Sequence, residues 1–251
     1  MKHNYVIWLF VVALLAGGYV PSRAQTASAL AREAQQAQQA HRREQALARV
    51  TFEWEKPVYL SDKIHRRRAG FKDVLLKTEY SRTHCPGVLV AGTHRVFTVA
   101  SCAEAPDGFS LKTVRVQLAN GKQGRGSAGS VAIRGNFASV LVSAQLTAGI
   151  KGVPVAAVPQ GNSLYETFGH GVQQELLQFF VERGVVSPRA SRLTGIKNTL
   201  QKGEPFFYRG QLVALVKEVP SRLPVSFWGG LSEDSLAVFH PGVLQTFLTD
   251  K

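Results

Sequence analysis

Cys85-Pro-Gly-Val-Leu-Val-Ala-Gly-Thr-His-Arg-Val-Phe-Thr-Val-Ala-Ser-Cys102 is the stretch on which the fold of this chain turns. It holds two apolar runs rich in β-branched residues, 87–91 and 96–100, parted by a glycine-containing turn, the pattern of two successive strands. It also holds both cysteines of the chain. In an oxidising compartment two cysteines at this spacing are most simply one disulfide. By closing a short loop, the bridge stabilises the fold by about 3 kcal/mol on the chain-entropy model.

Outward from this stretch the same pattern continues. Short β-rich runs recur at 74–76, 114–118, 139–142 and 153–158, then at 178–181, 211–216 and 236–239, with turn signals such as Asn120-Gly121 between them. Many short strands with no alternating helices predict an all-β barrel or sandwich. Residues 243–251, with Val243, Phe247 and Leu248 apolar, are expected to form a short terminal helix, and no repeat of fixed period is present.

Upstream the composition differs. Lys2, the apolar run 5–15, the breakers Gly17, Gly18 and Pro21, and the small residues Ser22 and Ala24 form the layout of a signal peptide over 1–24. Its apolar core is too short for a bilayer of roughly 30 Å. No stable membrane insertion is expected, and the mature protein is expected to be secreted and extracellular. Residues 26–49 carry Ala, Gln, Glu and Arg without Gly or Pro and predict a helix whose apolar content is mostly alanine, with little to bury. Together 25–69 reads as a helical and basic arm ahead of a body spanning 70–251. Arg66, Arg67 and Arg68 end the arm as a processing site, a polyanion site or a solvated loop.

The formal net charge is +13, and removing 1–24 takes Lys2 and Arg23 with no acid, leaving +11. Such a bias favours acidic proteins, anionic surfaces or acidic glycans, and secretion argues against nucleic acid. The basic clusters Arg42-Arg43 and Arg66 to Arg68 are the local candidates. No His or Cys pair has metal-ligand spacing, no cofactor is implied, and the chain holds no Asn-x-Ser/Thr acceptor.

The segment from Cys85 to Cys102 resembles the trypsin-like serine proteases, in which a disulfide spans this segment and the second half ends Thr-Ala-Ala-His-Cys. Here it ends Thr98-Val99-Ala100-Ser101-Cys102. Four further stretches follow in the family's order. Phe137-Ala138-Ser139-Val140-Leu141 resembles Asp-Ile-Ala-Leu-Leu. The run 153–159 resembles the Val-x-Pro-Val segment before Leu-Pro. Gly203-Glu204-Pro205 resembles Gly-Gly-Pro, and Pro241-Gly242-Val243 the element before the terminal helix. The resemblance covers about 70–251. It implies two six-stranded β-barrels and a short C-terminal helix.

Carried over residue by residue, the resemblance places the general base at Ser101, its orienting carboxylate at Phe137 and the nucleophile at Lys202. The oxyanion-hole glycine falls at Leu200, and the activation Asp at Gln201. Serine is no base near neutral pH, and phenylalanine accepts no hydrogen bond from an imidazole. Lysine is a nucleophile only when desolvated. Slipping the alignment rescues nothing: 128–148 contains no carboxylate, and no serine lies between Arg192 and Arg209. The expectation is therefore an inactive homologue that binds other proteins as cofactor, decoy or regulator. Inactive members of this family act so in extracellular protease networks of immune or reproductive (seminal) fluid. Binding to a heparin-like polyanion and residual hydrolysis through Lys202 are the competing readings.

Overall fold

The computed structural model describes residues 23–59, 75–156, 163–168, 176–182, 185–188, 201–218, 231–232, 236–239 and 241–248. The signal-peptide reading falls outside them except for its last two residues, and Arg66, Arg67 and Arg68 lie wholly outside. The chain divides into two units, 1–40 and 41–251. Helix α1 (Arg23–Ala46) begins in the first, and its residues 28–35 are exposed, as its alanine-dominated sequence requires. No helix among the described residues is long and apolar enough to cross a membrane.

The body starts earlier than the sequence reading placed it. Strand β1 (Leu47–Tyr59) lies inside the stretch assigned to the arm, yet it pairs with strands on both of its sides. Its sequence explains this. Val50, Phe52 and Trp54 are buried, whereas Arg49 and Thr51 between them face outward, which is the period of a half-buried strand. The helix expected to reach residue 49 therefore stops at Ala46, and the arm boundary at 69 is corrected to the mid-forties.

After β1 come β2 (Leu75–Leu89), β3 (Arg95–Val99), β4 (Ser110–Leu118), β5 (Gln123–Gly126), β6 (Val131–Arg134) and β7 (Phe137–Leu141). They form a seven-stranded antiparallel sheet in the order β5-β4-β1-β2-β3-β7-β6. Its two edge strands, β5 and β6, are consecutive in the chain and joined by residues 127–130, so the sheet curls into a nearly closed barrel. The count of seven in place of the expected six has a local cause. One strand is interrupted by a 3-10 turn at Ala128–Ser130, where the Ser130 hydroxyl donates to Ser127 O at 2.6 Å. Inside the barrel Phe52 and Trp54 lie 6.0 Å apart, and the Trp54 indole N–H is satisfied by Thr83 Oγ1 at 3.1 Å.

The second sheet holds β8 (Ser163–Phe168), β9 (Leu176–Glu182), β10 (Val185–Pro188), β11 (Pro205–Tyr208), β12 (Gln211–Val216), β13 (Leu231–Ser232) and β14 (Leu236–Val238). Its order is β13-β10-β9-β8-β11-β12-β14. The pairing plan repeats that of the first sheet. The leading strand lies between the second and the fourth, and the outermost strands are again successive segments of chain.

Helix α2 (Ala144–Thr147), capped by Ser143, leads towards the connection between the sheets. Val153 accepts from Ala91 N and donates to Leu89 O, both at 2.9 Å, and Ala156 N donates to Leu212 O at 2.9 Å. Residues 153–156 thus hold both sheets. Gly152 makes the approach feasible: a Cβ there would lie 2.8 Å from Ala91 N and 2.9 Å from Val90 C. Helix α3 (Pro241–Leu248) closes the described chain. One apolar core joins residues of both sheets with Phe247 of α3.

Candidate functional site at the three triad positions

Strands β3 and β7 run antiparallel with Val99 opposite Phe137. Just beyond, Ala100 N donates to Asn136 O at 2.9 Å, which seats the turn Ala100–Cys102 against the start of β7. Cys102, fully buried, is bonded to Cys85 of β2, with Cα atoms 6.3 Å apart, so the expected disulfide is present. The segment before β11 then comes over this bridge, with Lys202 O 4.0 Å from Cys102 Sγ. Ser101 and the Lys202 backbone therefore lie beside one disulfide, and Phe137 opens the strand paired with the one that leads into it.

Gly203 is what lets the segment approach. Its φ is +92°, and an added Cβ would meet Pro86 O at 2.6 Å and Thr98 Oγ1 at 2.7 Å, distances no side chain tolerates. Gly203 N donates to Val216 O at 2.7 Å, and Glu204 N to Gln201 O at 3.0 Å. The Glu204 side chain is buried, whereas Gln201 and Lys202 are exposed.

The three side chains differ sharply in surroundings. Ser101 Oγ is buried with no hydrogen-bond partner among the described residues. Phe137 is 4% exposed. Its ring lies 4.3 Å from that of Phe239, which contacts Phe97 edge-on at 5.9 Å; Phe97 in turn meets Phe247 at 5.1 Å. An aromatic cluster so packed fills the place that the resemblance assigns to a carboxylate. The sequence reading had the residue at 137 but not the cluster, whose members lie up to 150 residues apart in number, from Phe97 to Phe247.

No imidazole among the described residues hydrogen-bonds Ser101 Oγ. Among the described residues, His41 meets Gln45 at 2.8 Å, His84 meets Thr51 at 3.0 Å and His94 meets Thr147 at 2.8 Å. His94 precedes β3, at the end of that strand away from Ser101. Leu200, His170 and His240 lie outside the described residues. No group of three or more His, Cys, Asp or Glu able to hold a metal occurs among the described residues.

No family model and no curated protein matches the chain. Among solved structures it is similar to an HtrA-type protease with a decapeptide, at a TM-score of 0.52 and 14% identity, over 85% of this chain and 67% of that one. The fold is trypsin-like. At that identity the likeness is one of fold.

Within this trypsin-like fold one of the basic clusters has a structural role. Arg42 Nε donates to Gly152 O at 2.8 Å and its Nη2 to Lys151 O at 3.4 Å. Arg43 is 5% exposed, with its guanidinium 5.9 Å from the Phe207 ring centroid, a cation–π distance. Arg42-Arg43 ties the end of α1 to the body, with Arg43 buried and Arg42 exposed.

Proposed function

We propose that the chain is a secreted, non-catalytic homologue of the trypsin-like serine proteases that acts by binding proteins, as cofactor, decoy or regulator in an extracellular protease network. The observation that carries this reading is Phe137 in the Phe97–Phe239–Phe247 cluster. Acyl transfer by this fold needs an imidazole held in one tautomer by a carboxylate, and here an apolar ring occupies the carboxylate's place. Ser101 and Lys202 support the same reading. Ser101 Oγ has no hydrogen-bond partner among the described residues, and Lys202 is exposed rather than desolvated as a nucleophilic lysine must be. What remains is a disulfide-braced double barrel whose loops are free to diverge.

Recovery of partners tests it. The purified full chain, immobilised, should retain a protease, an inhibitor or a receptor from the fluid into which it is secreted, and the Ser101→Ala/Lys202→Ala variant should retain it equally. Recovery of none of these, or recovery abolished by the double substitution, would contradict the proposal.

A further inference from the structure

The outer wall of the first barrel brings together basic residues that are scattered in the sequence. Across β5, β4, β1 and β2 the register aligns Arg125 with Arg115, Arg115 with Thr51, and Thr51 with His84. One pair of residues along β1 in either direction, Arg49 and Glu53 flank this row on the same face, and Arg82 stands opposite Glu53. The inward residues of the same strands, Val50, Phe52, Val114 and Val116, are buried, so the alternation of the strand fixes the arginines outward. Four strands at about 4.8 Å spacing make a face about 15 Å across.

Its charge is unbalanced. The only carboxylate among these positions is Glu53, which takes Arg82 Nε at 3.1 Å and Arg115 Nη2 at 3.1 Å. Arg82 and Arg115 remain 64% and 42% exposed, and Arg49, Arg125 and His84 are exposed as well. Among the described residues neither Arg49 nor Arg125 has an acidic partner. Glu53 holds two of the guanidiniums in a fixed orientation while the face keeps its positive excess.

We propose that this face binds a sulfated glycan chain. Arginine offers its planar fork of N–H donors to oxyanions and is weakly hydrated. A single sulfate would satisfy one arginine, whereas a polysulfated chain lying across the strands meets Arg125, Arg115 and Arg49 together, and each contact adds to the others through one linked ligand. The face lacks what other polyanions need. One aromatic, Tyr80, stands at its end two residues from Arg82, too few rings to stack successive bases. Tyr80 is 64% exposed with Lys112 Nζ 4.5 Å from its ring, and a single ring offers little apolar area to enter a lipid surface. The proposal stands whether or not the triad positions catalyse.

The test is binding of the full chain to immobilised heparin across a salt series, beside vesicles containing phosphatidylserine and a single-stranded oligonucleotide. The expected result is retention on heparin at 0.15 M salt, with weaker binding to vesicles and oligonucleotide. Arg49→Glu/Arg125→Glu should weaken heparin binding at least about tenfold and lower the salt slope by about 2. Arg134→Glu/Lys151→Glu, an equal charge change elsewhere on the surface, should leave it within about twofold. Because 49 and 125 are exposed strand positions, melting temperatures should be unchanged. Should the reversal disturb folding, Arg49→Gln/Arg125→Gln is expected to give the same fall in slope with a smaller loss of affinity. No retention at 0.15 M salt, equal losses in the two charge-reversal variants, or preference for vesicles or oligonucleotide over heparin would each overturn the proposal.

Discussion

Replacing Phe137 by aspartate restores the residue type that the trypsin-like resemblance places there, and it should unmake the protein rather than awaken it. Phe137 is 4% exposed and 4.3 Å from the Phe239 ring. Truncating a buried Phe costs about 3–5 kcal/mol, of which the aromatic pair accounts for about 0.5–1.5 kcal/mol. Aspartate adds the desolvation of a carboxylate among Phe97, Phe239 and Phe247, so at pH 7 the loss should be at least about 4 kcal/mol. That is a large share of the 5–15 kcal/mol typical of a folded domain. The sign with pH follows from burial. Desolvation raises the carboxyl's pKa in the folded state above its unfolded value. The ionisation penalty is therefore full above the folded pKa and vanishes as pH falls below the unfolded one. Urea unfolding followed by tryptophan fluorescence at pH 7 and pH 4 measures both effects. Phe137→Asp should recover part of its deficit at pH 4 relative to wild type, and Phe137→Asn should not. A Phe137→Asp protein within about 1 kcal/mol of wild type at both pH values would mean that the position opens to water and polar groups, as a catalytic carboxylate requires, and would refute the packing account.

Three further outcomes are expected. Cys85→Ala/Cys102→Ala should lower stability by about 3 kcal/mol, since the bridge closes a loop with a sequence separation of 17; urea midpoints against wild type measure it. Gly203→Ala should cost about 1–3 kcal/mol by calorimetry, because φ is +92° and the methyl meets Pro86 O and Thr98 Oγ1, whereas Gly121→Ala, where φ is +82° but nothing lies within 4 Å, should cost less. The Lys77 ammonium beside Glu79, 2.6 Å away, holds that exposed carboxyl below its ordinary range, first by hydrogen bonding and then by charge. NMR titration of Lys77→Gln should show Glu79 returning upward. As the folded pKa is the depressed one, the pair's small contribution is present at neutral pH and is lost as pH falls through it.

Legibility in the sequence followed the range of the determining interactions. The disulfide was readable because the chain has two cysteines and both flank a strand pair. The nearness of Ser101 and the Lys202 backbone was readable only through the trypsin-like resemblance, since nothing local says that residue 202 returns to the bridge between 85 and 102. Strand β1 carried its own signal in the alternation of Val50, Phe52 and Trp54. It was lost because the helical pattern before it has no breaker at Ala46, and the chain passes directly from helix to strand. The aromatic cluster and the basic face were not legible at all. Phe137 meets Phe239, and Arg49 shares a face with Arg125, only through register set by backbone pairing. Conversely, Arg42-Arg43 was conspicuous in the sequence, but that Arg43 is buried and Arg42 exposed was not, because adjacency along a helix says nothing about which residue is buried.

The most direct test of the central claim is labelling of the full chain by a serine-reactive fluorophosphonate, run beside a peptide-library cleavage assay. With Ser101 Oγ lacking a hydrogen-bond partner among the described residues, Phe137 at the position the resemblance gives to the carboxylate and Lys202 exposed, the expected result is no label and no cleavage above background. Labelling or turnover that Ser101→Ala or Lys202→Ala abolishes would contradict it and make the chain an enzyme.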